Sequence, residues 1–213
     1  MNIWFATGNM DKKAELAAIL SDWNIKTPGD AGLPFDPDET GSSFHENALI
    51  KARELYRLLC AEGMFSPGDA VIADDSGICV DALDGRPGIF SARYAGAGVP
   101  PDNAKLSSLQ RNILLLEELG DSADRKARFV CAMVLLLNEN LFYIANEILE
   151  GEVVKDAGCI RGSGGFGYDP VMYLPEMEKT VAELSEAEKN LISHRARAGL
   201  VIAGILGSRE HVR

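Results

Sequence analysis

The 213-residue chain contains no run of about 18 apolar residues, so no membrane-spanning helix is expected. Its longest apolar stretches, MVLLL and NILLLEEL, have the size of a strand or a helix. The start turns polar by residue 7, which leaves no apolar core for a signal peptide. Cysteine is sparse and scattered. Cys60, Cys79, Cys131 and Cys159 form no C-x-x-C pair, and nothing in their spacing argues for zinc. Reduced, mostly buried thiols in a cytoplasmic protein are expected. Positive charge is in deficit: 21 Lys+Arg against 32 Asp+Glu give a net charge of −11. Such a surface lacks the excess cations that displace the counterions of nucleic acid, so neither nucleic acid nor membrane is an expected partner. A small anionic ligand is compatible with this balance if a local cationic pocket, a metal ion or both receive it. Internal repeats and low-complexity segments are absent.

Hydrophobic residues make up 46% and charged residues 25%, which suits a soluble domain, single or two-lobed, with a sizeable core. Residues 2–6 read as a short buried strand, and 9–21 as a helix capped by Asn9 with Leu16, Ile19 and Leu20 on its apolar face. Residues 28–41, rich in Pro, Gly and acid, read as loop. Ser43 and Glu46 form a capping-box pattern, opening a helix with Ala48, Ala52, Leu55 and Leu59 on one side and Gly63 as terminator. Residues 70–74 read as a second buried strand, 84–101 as loop, and 103–119 as a helix ending at Gly120. ARFVCAMVLLLN and LFYIANEILEGEVV read as a hairpin turning at Asn138-Glu139-Asn140. A Gly-rich loop covers 158–170. Ser185 and Glu188 form a second capping-box pattern, and Ala198, Val201, Ile202 and Ile205 have helical spacing after Ser193. Strands and helices mix without strict alternation, so the class is α/β with a mixed sheet.

Five segments could carry chemistry. Thr7-Gly8-Asn9-Met10-Asp11-Lys12 joins a strand end to a helix start, where backbone N–H groups and the helix dipole suit an anion and Lys12 can reach a phosphate. It is not a Walker loop. Asp74-Asp75-Ser76-Gly77 follows a buried strand. Successive strand side chains face opposite ways, so one Asp can hold a neighbouring element while the other faces a ligand, as a base or a Mg²⁺ ligand. Asp38-Glu39-Thr40-Gly41 adds acid that matters only if the fold brings it near Asp75. GSGGFGYDP, residues 162–170, formally matches G-x-G-x-x-G, but Pro170 falls where a dinucleotide-binding helix should be under way. That excludes an NAD(P) site and favours a loop exposing Phe166 and Tyr168, with a ring to stack on a base and Asp169 to accept from its edge. Lys189 and Ser193-His194-Arg195 complete the set, with Ser193 as a helix cap. His45 and His211 are expected at the surface.

Together, FATGNMDKKAEL, ETGSSFHENALIKA, ADDSGICVDALDGRPGIFSARYAG, GGFGYDPV and TVAELSEAEKNLISHRARA resemble the inosine/xanthosine triphosphate pyrophosphatases, from Ile3 to about Ala203. The resemblance implies a single two-lobed domain over residues 1–213. Its elongated mixed sheet would be flanked by helices, with the active-site cleft between the lobes. It implies a cytoplasmic, homodimeric, Mg²⁺-dependent enzyme that hydrolyses ITP, dITP and XTP to the monophosphate and pyrophosphate. Residue by residue, it implies phosphate contacts from Thr7, Gly8, Asn9, Met10, Asp11 and Lys12, the pair Met10-Asp11 through backbone only. Asp75 would be general base and metal ligand, with Ser76 touching substrate. Asp38, next to Glu39, falls on the acidic metal position, with either able to point inward. Phe166, Gly167, Tyr168 and Asp169 would form the base-binding loop, with substrate contacts from Lys189, His194 and Arg195. Ala196 stands where the family usually has Gly, which a helical position tolerates.

On this reading Asp75 positions or deprotonates a water that attacks the α-phosphorus, and Lys12 and Lys189 neutralise the phosphates. Arg195 and His194 would donate to the 6-oxo group of hypoxanthine or xanthine, which adenine lacks. A nucleotide-binding protein without catalysis would keep Phe166, His194 and Arg195 but lose the carboxylates present here. A modified pyrimidine triphosphate fits the Phe–Tyr–Asp and His–Arg pieces less well.

Overall fold

The computed structural model describes residues 1–98 and 106–210. One seven-stranded sheet runs in the order β2-β1-β3-β4-β5-β6-β7. The strands are β1 Asn2–Phe5, β2 Asn24–Lys26, β3 Ala70–Val80, β4 Lys126–Asn138, β5 Leu141–Val153, β6 Met172–Leu174 and β7 Lys179–Thr180. β1 pairs in parallel with β2 and β3, whereas β5–β6 and β6–β7 are antiparallel. The helices are α1 Met10–Ile19, α2 Phe44–Ala61, α3 Ser108–Leu119, α4 Glu186–Ile192 and α5 His194–Glu210. The α/β class with a mixed sheet is therefore present. The three-residue or shorter strands β2, β6 and β7 are elements the pattern did not signal. Residues 103–105 of the expected helix, 99–101 of the expected loop and His211 lie outside the described residues.

The chain divides into two compact units. One comprises Met1–Asp75, Cys131–Glu147 and Ser193–Arg213; the other comprises Ser76–Val130 and Ile148–Ile192. In the first, alternation along the strands sorts two cores. Ile3, Phe5, Ala70, Ile72 and Met133 pack with Leu16 of α1, Leu20 just past its end, and Ala198, Ile202 and Leu206 of α5. Trp4, Ala6, Val71, Ala73 and Val134 pack with Ala48, Ala52, Leu55 and Leu59 of α2. Gly199 lets α5 approach α1: a Cβ there would lie 2.9 Å from Ile19 Cγ2. In the second unit, Ile78, Val80, Leu115, Leu119, Phe129, Tyr168, Val171 and Met172 form one core.

Local signals decide the helix ends. Asn9 caps α1 by accepting from the N–H groups of Asp11 and Lys12. Ser43 caps α2 from Glu46 N, but the Glu46 carboxylate turns to Ser42 N and Oγ at 2.7 Å, so the expected box is only half formed. Ser185 and Glu188 do bond reciprocally. The thiols differ from expectation. Cys131 alone is buried, Cys79 and Cys159 are half-buried, and Cys60, near the end of α2, is exposed. No helix among the described residues is long and apolar enough to cross a membrane.

Candidate active site

The strand β3 does not end at Asp74, as expected, but continues through Asp75 to Val80. The pleat then sends them to opposite faces. Asp74 continues the row of Ala70 and Ile72 toward α1 and α5. It pairs with Lys12 Nζ at 3.0 Å and accepts from Arg195 Nε at 3.1 Å and Nη2 at 3.0 Å. Arg195 Nη1 is bonded to Glu15 of α1. Burial by itself would raise the Asp74 carboxyl, but Lys12, Arg195 and Lys51 hold it well below the usual range.

Asp75 continues the row of Val71 and Ala73 toward α2. Lys51 Nζ lies 3.0 Å from Asp75 Oδ1 and 2.8 Å from Glu39 Oε1, and Asn47 Nδ2 lies 3.3 Å from Asp75 Oδ2. Burial pushes the Asp75 carboxyl above its ordinary value despite Lys51. A carboxylate with a raised proton affinity is the better proton acceptor. Lys51 rises above the ordinary lysine value, because Asp75, Asp74 and Glu39 outweigh its desolvation. Of the two acids at 38 and 39, Glu39 is the one brought to Asp75, through this shared ammonium. Asp38 is exposed.

At the β1–α1 junction, the N–H groups of Thr7, Asn9, Asp11 and Lys12 are all bonded within the protein, to Phe5 O, Thr7 Oγ1 and Asn9 Oδ1. The expectation that this whole run of N–H groups faces a ligand is thus narrowed. A ligand here would meet the space above Gly8, where a Cβ would touch nothing within 4 Å, and the Lys12 side chain. Met10 and Asp11 are exposed.

The second unit holds the Gly-rich loop. Asp169 Oδ2 accepts from Lys189 Nζ at 2.7 Å and from Phe166 N at 2.8 Å. The Lys189 ammonium sits 4.8 Å from the Phe166 ring centroid. Gly165, at φ +66°, leaves the space that Asp169 Oδ2 occupies; a side chain there would collide with it. Asn112 Nδ2 donates to Gly167 O at 3.2 Å. Phe166, expected to be exposed, is half-buried. Tyr168 is more deeply buried: it is 5% exposed and belongs to the core, with its hydroxyl donating to Ser91 O at 3.1 Å. The ring was expected outside because the loop's glycines permit exposure; core packing and the Ser91 carbonyl draw it in.

Arg195 also departs from its expected place. It is 1% exposed, and Nε, Nη1 and Nη2 all bond to Asp74 and Glu15. The donors expected to meet a 6-oxo group are engaged within the protein. Ser193 caps α5, accepting from Ala196 N at 3.1 Å, and Ala196 lies inside the helix, which accommodates its methyl group. His194 is buried at the same helix start, and Ser76 is half-buried beside Asp75. Lys51, Asn47 and Glu15 are members of these clusters that the sequence reading left out. The signal for Lys51 was a cation on the apolar face of α2, one residue before Ala52 and three after Ala48.

The same order of segments recurs in known proteins. The model of the Ham1 family matches residues 3–202. The chain belongs to the Ham1 family. A relative from Treponema denticola, named dITP/XTP pyrophosphatase, is 46% identical over 198 residues, 93% of this chain and 94% of the relative. The solved Ham1 protein of Staphylococcus aureus superposes with a TM-score of 0.81 at 34% identity, covering 98% of this chain and 100% of that one. A HAM1 protein from Coxiella burnetii gives a TM-score of 0.79 at 38% identity, covering 98% and 99%.

Proposed function

We propose that the chain hydrolyses non-standard purine nucleoside triphosphates (ITP, dITP and XTP) to the monophosphate and pyrophosphate. Its working form is a cytoplasmic, Mg²⁺-dependent homodimer. The observation that carries the reading is the convergence of Asp75 and Glu39 on one ammonium, in the unit that also presents Lys12 at a strand–helix junction. Family membership and the relatives' names support the substrate class.

The donor set fits a hard divalent cation. Among the described residues no three acidic, His or Cys side chains gather into a complete cage. Two carboxylates do share one cation, and Mg²⁺ commonly takes one or two carboxylates plus water and phosphate oxygens. Asp75 and Glu39 would hold the ion, which when bound supplies charge neutralisation on the triphosphate. Lys51 keeps the two carboxylates together against their mutual repulsion. Lys12 neutralises phosphate charge. Asp75 takes the proton of the water that attacks the α-phosphorus as the bond to the leaving pyrophosphate breaks. Phe166 stacks on the base, and Asp169 and Lys189 fix the loop that carries it. Arg195 and Glu15 brace Asp74 and hence Lys12.

The direct test is a pyrophosphate-release panel of ITP, XTP, dITP, GTP and ATP with and without Mg²⁺. Release from the first three, dependent on the metal, is expected. Equal turnover of ATP, or release of orthophosphate instead, overturns the reading. In the same assay Lys12→Ala is expected to lower kcat/KM for ITP, XTP and GTP by a common factor, because Lys12 meets phosphate and not base. A changed ITP:GTP ratio would place Lys12 at the base. Titrating Mg²⁺ separates the two loop acids. Glu39→Gln is expected to raise the half-saturating Mg²⁺ concentration at least about tenfold, as loss of metal-supporting groups commonly does. Asp38→Asn should leave it unchanged, and the opposite pattern makes Asp38 the ligand.

A further inference from the structure

Asn47 lies in the first turn of α2 and is fully buried. Asparagine is a weak helix former and its amide is costly to bury, so the position needs bonds to explain it. Both ends of the amide have them. Oδ1 accepts from Gly41 N at 2.8 Å, and Nδ2 donates to Asp75 Oδ2 at 3.3 Å. A backbone N–H only donates and an ionised carboxylate only accepts, so the two contacts fix one orientation of the amide. Turned over, it would set like against like at both ends. Gly41 stands two residues after Glu39 in the loop that precedes α2. Its close approach depends on the missing side chain: a Cβ there would lie 2.7 Å from Asn47 Oδ1 and 2.7 Å from Glu46 Cβ. Lys51, one turn further along α2, takes the other oxygen of Asp75 and reaches Glu39. The loop is therefore tied to Asp75 twice, once through a charge on a long flexible stem and once through a short buried amide.

We propose that Asn47 is a positioning residue: its one amide sets both the plane of the Asp75 carboxylate and the distance of the Glu39 loop from it. The inference rests on the function proposed above and adds a residue to it. The torsion that turns a carboxylate about its Cβ–Cγ bond is broad, with no steep well to hold it. A donor on each oxygen supplies the constraint, Lys51 on Oδ1 and Asn47 on Oδ2. The lone pair that takes the proton of the attacking water then points one way before substrate arrives, and a small misplacement there costs rate. Asn47, being fully buried, acts through Asp75 and does not meet the substrate itself.

The experiment starts with the wild type. Followed by hydrogen exchange in NMR spectra, the Gly41 amide is expected to exchange at least about fivefold more slowly than an unbonded amide, the protection of one ordinary hydrogen bond. Asn47→Ala should remove that protection. It should also lower kcat for ITP about 10–100-fold with KM nearly unchanged, as loss of a partner that orients a metal-site ligand commonly does. In the Asp75→Asn background the same change should lower kcat hardly further, because the group it positions is already gone. Gly41→Ala leaves both side chains intact and should release the loop amide in the same way, with a smaller fall in kcat. Melting curves accompany the variants. Free exchange of the Gly41 amide in the wild type overturns the inference without needing any variant to fold. So does a loss in Asn47→Ala that falls on KM alone, or one that multiplies in full with that of Asp75→Asn. Failure of the wild type to release pyrophosphate from ITP would instead overturn the proposed function, and the exchange measurement, which needs no activity, keeps the two apart.

Discussion

Asp75→Asn is expected to lower kcat for ITP by about 10²–10⁴-fold, the usual contribution of a general base. The protein should stay folded. Asparagine has the same shape, and its Oδ1 can still accept from Lys51 while only the hydrogen bond from Asn47 Nδ2 is lost. The Lys51 ammonium, which loses its charge partner at 3.0 Å, retains Glu39 at 2.8 Å. No buried cation is left alone, so the melting temperature should move by only a few degrees, about 1 kcal/mol in stability. The measurement is kcat at saturating Mg²⁺ together with a melting curve. Near wild-type kcat would remove Asp75 from the chemistry. Asp74→Asn supplies the control within the same strand. Its carboxylate, itself buried, serves the buried Arg195 and the half-buried Lys12, so its loss should destabilise far more than that of Asp75.

That the two Asp residues part was legible in the sequence, because it follows from the two-residue period of a strand; which of them takes which face was not. In the structure the apolar residues before them show which face each takes: Ile72 packs toward α1 and α5, Ala73 toward α2. The helix caps at Asn9, Ser43 and Ser193 were legible for a similar reason, since capping is local. Partners distant in the chain were not. Nothing near Arg195 in sequence announces Glu15, 180 residues away, or Asp74, 121 residues away. A His–Arg pair at a helix start looks solvent-facing until two carboxylates from other elements are placed against it. Tyr168 is a parallel case: the loop's glycines permit exposure, and only the packed core and the Ser91 carbonyl decide against it. That Glu39 and not Asp38 approaches Asp75 likewise depends on Lys51, a residue of another element. Short edge strands such as β7, with two residues, carry too little alternation to be read at all.

Arg195→Ala is expected to act on stability first. The guanidinium is fully buried between Asp74 and Glu15, and removing it leaves Asp74 with Lys12 and the Cys131 thiol and takes the Arg195 contact from Glu15. Breaking a buried pair by deleting one partner costs about 3–5 kcal/mol, because the remaining charge is desolvated without compensation. For a chain of this size that is a fall of roughly 6–20 °C in melting temperature. Arg195→Lys should recover only part of the loss, since one ammonium replaces a planar fork bonded to two carboxylates. Glu15→Gln combined with Arg195→Ala should be less destabilising than the sum of the single changes, because both single changes remove the same Arg195–Glu15 contact. The ITP:ATP ratio, assayed well below the melting point, separates this brace from a base-reading arginine. A brace leaves the ratio nearly unchanged while kcat/KM falls for every triphosphate, since Lys12 loses the fixed carboxylate that positions it. If instead the ratio narrows by tenfold or more and the melting temperature holds, the guanidinium leaves Asp74 to meet the 6-oxo group. Selectivity would then rest on Arg195 and not on the second unit alone.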